Sequence, residues 1–307
     1  MNKNFTANLP ERFTQNTLGV CGKKGGEWLK DLPRIIEEIE ETWSLKAEKH
    51  FPNLSYNYVA PCVCEGGGAA VLKIALPEEN PEIFNEAGFL RLSDGKGAVK
   101  LLKFDEKRRA MLLEKLVPGK NLKECFRANE QKAVGTAINV MRKIRRKPPK
   151  DSAFRQLEDW FGGFQRAENT MFDKRFASKA RNFFEELNSD SKQTLLIHGD
   201  LHHENILSAK REPFLIIDPK GIIGNIGYEI GVFLNNHALW LSNEPNLRKK
   251  LSETVIQFSK AFDIEPKNLC KWAFAQMVLS AWWTFEENGQ DWRNELVRAE
   301  IWEEINI

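Results

Sequence analysis

The spacing of apolar residues along the chain changes at a few places, and each change marks an element. Over 33–50, Ile35, Ile36, Ile39, Trp43 and Ala47 recur at helical spacing among acidic residues. Pro33 stands where a first-turn proline is tolerated, so the spacing predicts an amphipathic helix. Over 55–75 the β-rich residues Tyr56, Tyr58, Val59, Cys62 and Val63 are followed by Glu65-Gly66-Gly67-Gly68 and then by a second β-rich run around Lys73, which predicts a hairpin. A helix over 81–92 and strands over 98–104 and 110–116 are expected next. Beyond Val117-Pro118-Gly119 helical periodicity dominates, over 130–146, 154–187, 247–262, 266–286 and from Trp292 onward. Short strand-like runs at 194–197, 206–208 and 214–217 interrupt it. The expected fold class is α+β and bilobal, with a small β-rich lobe over 1–116 and a larger, mainly helical lobe over 117–307.

Charge adds an exclusion. Forty-five basic against 43 acidic residues leave a net charge of +2, too little to attract nucleic acid through bulk charge. The densest basic run, from Arg142 to Lys150, reads as a helix end stopped by two prolines. The start of the chain has no apolar stretch of signal-peptide type, and no segment offers the roughly 18 apolar residues a membrane span needs. A cytoplasmic protein with no membrane or nucleic-acid partner, monomeric or weakly dimeric, is expected. The five cysteines are scattered and lack a Cys-x-x-Cys pair, so reduced thiols are expected, with Cys62 and Cys64 packing on one face of a strand.

The chemistry concentrates in His198-Gly199-Asp200-Leu201-His202-His203-Glu204-Asn205, followed by Asp218-Pro219-Lys220-Gly221. An apolar strand delivers the chain to His198, and Gly199 permits a tight turn, so Asp200 falls on a loop. That loop argues against His198 and His202 as a helical zinc pair. A carboxylate such as Asp200 can take the proton of an acceptor hydroxyl, while Asn205 and Asp218 supply the oxygen ligands that Mg²⁺ prefers. This arrangement suits transfer of the γ-phosphoryl group of ATP.

These residues resemble the aminoglycoside phosphotransferase family of the protein-kinase-like fold. Asp218-Pro219-Lys220-Gly221, followed by Gly224, Tyr228-Glu229 and Phe233-Leu234, is similar to its streptomycin 6-kinase and hydroxyurea phosphotransferase branch. His203 departs from the pattern, since relatives often have proline there. The resemblance implies ATP and Mg²⁺ as cofactors, Lys73 on a strand to hold phosphates, and Glu86 on the next helix to orient it. It further implies Gly66, Gly67 and Gly68 as the loop over the phosphates, with Glu114 and Leu116 presenting backbone to the adenine. Lys220 would reach the transferred phosphate or pair with a carboxylate, and Glu229 would meet substrate or brace the loop. Helix resumes near Tyr228 with no activation segment and no Ala-Pro-Glu motif, so the acceptor is expected to be a small molecule. Glu286, Glu287 and Asp291, among tryptophans, would line a pocket for a cationic aminoglycoside such as streptomycin. Other hydroxyl compounds, including sugars, amino alcohols and hydroxyurea, and a non-catalytic nucleotide-binding regulator are the alternatives.

Overall fold

The computed structural model describes residues 9–79, 82–150, 153–189, 194–287 and 291–305. The chain divides into two units, Met1–Val117 and Pro118–Ile307.

The first unit is built on a five-stranded antiparallel sheet of order β1-β2-β3-β5-β4. Its strands are β1 (Leu45–Ala47), β2 (Tyr58–Cys64), β3 (Ala69–Ile74), β4 (Leu101–Asp105) and β5 (Ala110–Glu114). The expected hairpin is β2–β3, aligned from Tyr58 opposite Ile74 to Val63 opposite Ala69. Alternation along a strand sends successive side chains to opposite faces. Ala70, Leu72 and Ile74 therefore share one face, where they join Phe13, Leu32 and Ile39 of helix α1 (Glu11–Trp43) in a buried cluster. Burial of each such large side chain stabilises the unit by about 1.5–3 kcal/mol. Lys73 is left on the other face, toward helix α2 (Ile83–Ser93). Cys62 is buried in the first cluster, and burial pushes its thiol up to about 11.

Helix α1 corrects the expected 33–50 helix at both ends. It starts at Glu11, so Pro33 lies inside it, and Ala47 belongs to β1. Buried Phe13, Thr17, Trp28 and Leu29 extend the apolar pattern upstream, through a glycine-rich stretch that weakens helical propensity. At Gly22 (φ 52°, ψ −128°) the helix breaks and folds back, and a Cβ on Gly25 would come within 2.4 Å of the Thr17 carbonyl oxygen. Only glycine allows that approach.

The second unit holds two three-stranded sheets. One has order β10-β9-β6, from β6 (Pro118–Asn121), β9 (Ile206–Ala209) and β10 (Phe214–Ile216). The other has order β7-β11-β8, from β7 (Arg155–Gln156), β8 (Thr194–Ile197) and β11 (Ile222–Asn225). The helices are α3 (Leu122–Cys125), α4 (Glu130–Ile144), α5 (Leu157–Phe161), α6 (Lys174–Asn188), α7 (Ile226–Trp240), α8 (Leu247–Phe262), α9 (Pro266–Glu286) and α10 (Trp292–Glu300). Helix α9 is buried along most of its length and packs on α6, α7 and α10. Gly227 and Gly231 of α7 lie against it, where a Cβ would fall 2.3 Å and 3.0 Å from Trp272.

The expected long helix over 154–187 is instead β7, α5, a 3-10 stretch (Gly162–Asn169) and α6. Gly162-Gly163 weakens the first helix, and Asp173 starts the second by accepting the Arg175 N–H. Strand β6 (Pro118–Asn121) carries no β-former, and in β11 the pair Ile222-Ile223 is too short a run, cut off by Gly224-Asn225, to be read as a strand from sequence. The basic run ends α4: Arg142 donates to the Ala261 carbonyl, and Lys143 pairs with Glu212 at 2.5 Å.

Candidate active site

In the first unit the strand alternation that hides Leu72 presents Lys73 to Glu86. Their side chains meet at 2.6 Å between Nζ and Oε2, with 4% and 5% of each residue exposed. Pairing offsets part of the cost of burying two charges this deep. The β2–β3 turn is closed by the Gly67 N–H to the Cys64 carbonyl (2.9 Å) and the Cys64 N–H to the Gly68 carbonyl (2.8 Å). Gly66 and Gly67 take φ of 94° and 86°, conformations that L side chains rarely adopt, on an exposed turn. At the end of β5, Glu114 exchanges contacts with Lys100: its N–H donates to the Lys100 carbonyl (3.0 Å) and its Oε2 accepts the Lys100 N–H (3.1 Å). Leu116 follows, half-buried.

In the second unit β8 pairs antiparallel with β11, Ile197 opposite Ile222, so both chains leave the sheet at the same end. Gly199 makes the turn with φ 84°, and the Lys220 and Gly221 N–H groups donate to the His198 carbonyl at 2.7 and 3.2 Å. His198 is fully buried, and that burial pushes its imidazole down to about 3. The neutral ring accepts the Asp200 N–H at Nδ1 (3.2 Å), so its Nε2–H donates to the Ile217 carbonyl (2.8 Å). One tautomer thus joins the residue that begins the Asp200 loop to the residue before Asp218.

Asn205 closes the ring of contacts. Its Nδ2 donates to the Asp200 carbonyl at 2.9 Å, which turns Oδ1 the other way, and its own carbonyl accepts the Ile217 N–H at 3.0 Å. The β9–β10 hairpin pairs Ile206 with Ile216, placing Asn205 and Asp218 at one end of it. Asp218 has φ 56°, a left-handed backbone that costs a residue other than glycine about 1 kcal/mol or more.

Glu229 lies beneath the loop, only 1% exposed. Its Oε1 accepts the His198 N–H at 3.0 Å and its Oε2 the Gly199 N–H at 2.7 Å. Of the two roles open for Glu229, substrate contact and bracing the loop, the geometry corresponds to bracing, because both carboxylate oxygens accept backbone N–H groups inside the protein. Burial pushes its carboxyl up to about 8, against the lowering effect of the two N–H donors. Lys220 is half-buried with its backbone tied to His198.

At the end of α9, Glu286 binds Arg166 through two hydrogen bonds of 2.7 and 3.0 Å. Asp291 accepts the Asn294 amide at 3.1 Å, and Glu287 follows α9 on an exposed turn. Sequence reading missed the face of α7 on which Glu229, Phe233 and His237 succeed one another four residues apart. That spacing was the available signal.

The first unit holds the buried Lys73–Glu86 pair and the second the loops of Asp200, Asn205 and Asp218, and the comparisons place this chain among protein-kinase-like phosphotransferases with an alcohol group as acceptor. The fold is shared with an amicoumacin kinase solved with AMP-PNP, Ca²⁺ and amicoumacin, 19% identical, with a TM-score of 0.63 over 90% of this chain and 96% of that one. Residues 42–289 match the aminoglycoside/hydroxyurea antibiotic resistance kinases, and the chain belongs to that family. It is 25% identical to streptomycin 6-kinase of Streptomyces glaucescens over 91% of either chain. It is 27% identical to hydroxyurea phosphotransferase of Kitasatospora aureofaciens over 91% of this chain and 81% of the relative. The chain is thus a small-molecule phosphotransferase that uses a nucleotide. No described helix is long and apolar enough to cross a membrane.

Proposed function

We propose that this enzyme transfers the γ-phosphoryl group of ATP, with Mg²⁺, to a hydroxyl of a small cytoplasmic molecule, and that a streptomycin-like aminoglycoside is the first candidate. The observation that carries this reading is the fixed position of Asp200 between the His198 and Asn205 anchors. Asp200 would align the acceptor hydroxyl and take its proton. Alignment supplies most of what protein can contribute to this reaction, since little covalent chemistry is left to it.

The donors fit a hard divalent cation. Asn205 Oδ1 and the Asp218 carboxylate are oxygen ligands, and the amide orientation is set by the bond from Nδ2 to the Asp200 carbonyl. Bound Mg²⁺ would neutralise phosphate charge as it develops. Lys73, oriented by Glu86, would hold phosphate oxygens, and the turn at Gly66 to Gly68 would offer backbone N–H groups to them. Glu114 and Leu116 would meet the adenine through backbone. Lys220 would neutralise phosphate beside Asp218.

For the acceptor, Glu287 and Asp291 stand with Glu286 at the end of α9 near Trp283 and Trp292, a setting that suits a guanidinium, which at Glu286 would have to displace Arg166. The similarity to a hydroxyurea phosphotransferase favours a second reading, a smaller hydroxyl compound. ADP release measured with streptomycin, hydroxyurea, sugars and amino alcohols separates the two. With the active acceptor, Asp200→Asn should lower kcat by about 10²–10⁴ while ATP still binds in calorimetry. Unchanged turnover in that variant would remove Asp200 from the reaction.

A further inference from the structure

Glu229, Phe233 and His237 stand at i, i+4 and i+8 on α7, one face of the helix spanning about 12 Å. Glu229 grips the backbone just before Asp200. The other end of the face grips the residue that opens the 3-10 turn His203–Asn205. His203 is fully buried, stacks on Phe233 with ring centroids 4.3 Å apart, and shares a 3.1 Å hydrogen bond from its Nε2 to His237 Nδ1. Trp240 closes the pocket edge-on at 5.0 Å from His203. The face of α7 thus holds the loop at two points, just before Asp200 and at His203, two residues before Asn205.

The His–His pair is poorly suited to stability alone. His203 Nδ1 and His237 Nε2 are buried without a hydrogen-bond partner among the described residues. With one hydrogen shared between two neutral rings, one of these atoms is an unanswered N–H and the other an unanswered lone pair. Two apolar side chains would fill the space without either cost. What the pair supplies, and packing cannot, is a directed bond that fixes the azimuth of the His203 ring and hence the turn ending in Asn205.

We propose that His237 is a positioning residue: through His203 it sets Asn205 relative to Asp200, as Glu229 sets the other end of the loop. The proposal rests on the reading of Asn205 as a metal ligand, but the geometric part is testable without it. His237→Phe keeps a ring for stacking and removes the bond, whereas His237→Asn returns a polar atom near the position of Nδ1. Hydrogen exchange of the loop amides should show Asn205 at least tenfold faster in His237→Phe, restored in His237→Asn, with Gly199, held by Glu229, unchanged. In the same variants Mn²⁺ affinity in the presence of ATP, read by paramagnetic resonance, should fall several-fold and recover. The double variant His203→Phe/His237→Leu, which removes both orphaned nitrogens, should keep or raise Tm and show the same fast Asn205 exchange.

Unchanged exchange at Asn205 in either the Phe variant or the double variant would overturn the proposal. So would equal loosening of Gly199 and Asn205 together with a matching fall in Tm, which is the signature of packing loss. Altered exchange with unaltered Mn²⁺ binding would leave the clamp standing and instead remove Asn205 from the metal site, the separate failure of the functional reading.

Discussion

At position 73 a buried lysine ammonium on one face of the sheet is paired with Glu86 at 2.6 Å. Removing one partner of a buried pair leaves an unmatched charge, whereas replacing both with apolar residues of similar volume is often neutral. Glu86→Leu should therefore cost the first unit about 3–5 kcal/mol in urea unfolding, and Lys73→Met/Glu86→Leu should recover most of that loss. Equal destabilisation by the single and double variants would show that packing, not charge, is at stake. Lys73 was legible through the family resemblance, which calls for a lysine on this strand, and alternation does set it apart from Leu72 and Ile74. Asp200, Asn205 and Asp218 were legible by residue type and order. Glu229 had two readings open, since sequence does not show whether a carboxylate's oxygens meet backbone N–H groups or solvent.

Among the elements, α7 anchors the loop that carries Asp200, and its distance from α9 is set where Gly227 and Gly231 meet Trp272. Gly227→Ala would place a methyl 2.3 Å from the indole, so Trp272 or the whole helix must move. Overpacking of this kind costs about 1–3 kcal/mol. Thermal unfolding should record that loss, and turnover should fall beyond it because Glu229 and His237 travel with the helix. Turnover unchanged at a lowered Tm would show that the loop holds its geometry without α7. Most helices were readable from periodicity, including α4, α8 and α9, whose cores repeat over several turns. The failures share a cause: in α1 and over 154–187 glycine or proline stands within helical pattern, and tertiary packing decided whether the helix continued, broke or tightened.

Across the whole molecule, buried ionisable groups set a pH optimum for stability. Burial holds His198, His203 and His237 below the ordinary imidazole value of 6.5, to about 3 for His198 and about 4 for His237. Unfolding at pH 5.5 therefore takes up protons at these sites, and their contribution to stability is lost as pH falls from 6.5. Glu229 acts in the opposite sense: its folded value of about 8 lies above 4.5, so the folded chain holds the extra proton and stability declines as pH rises through that window. Urea midpoints measured against pH should peak near the histidine value of 6.5, fall steeply on the acid side and more gently on the alkaline side. A monotonic rise to pH 8 would mean that Glu229 is ionised in the folded protein. The two-part character of the chain was visible in its shift from strand to helix periodicity, but such buried equilibria were not, because they depend on which surfaces meet. One last consequence concerns the left-handed backbone of Asp218. Asparagine and glycine tolerate that conformation and alanine does so poorly. If Asp218 holds the metal as proposed, a lineage drifting away from phosphoryl transfer has an easy first step, and folded but silent descendants should carry their earliest scar there, as asparagine or glycine.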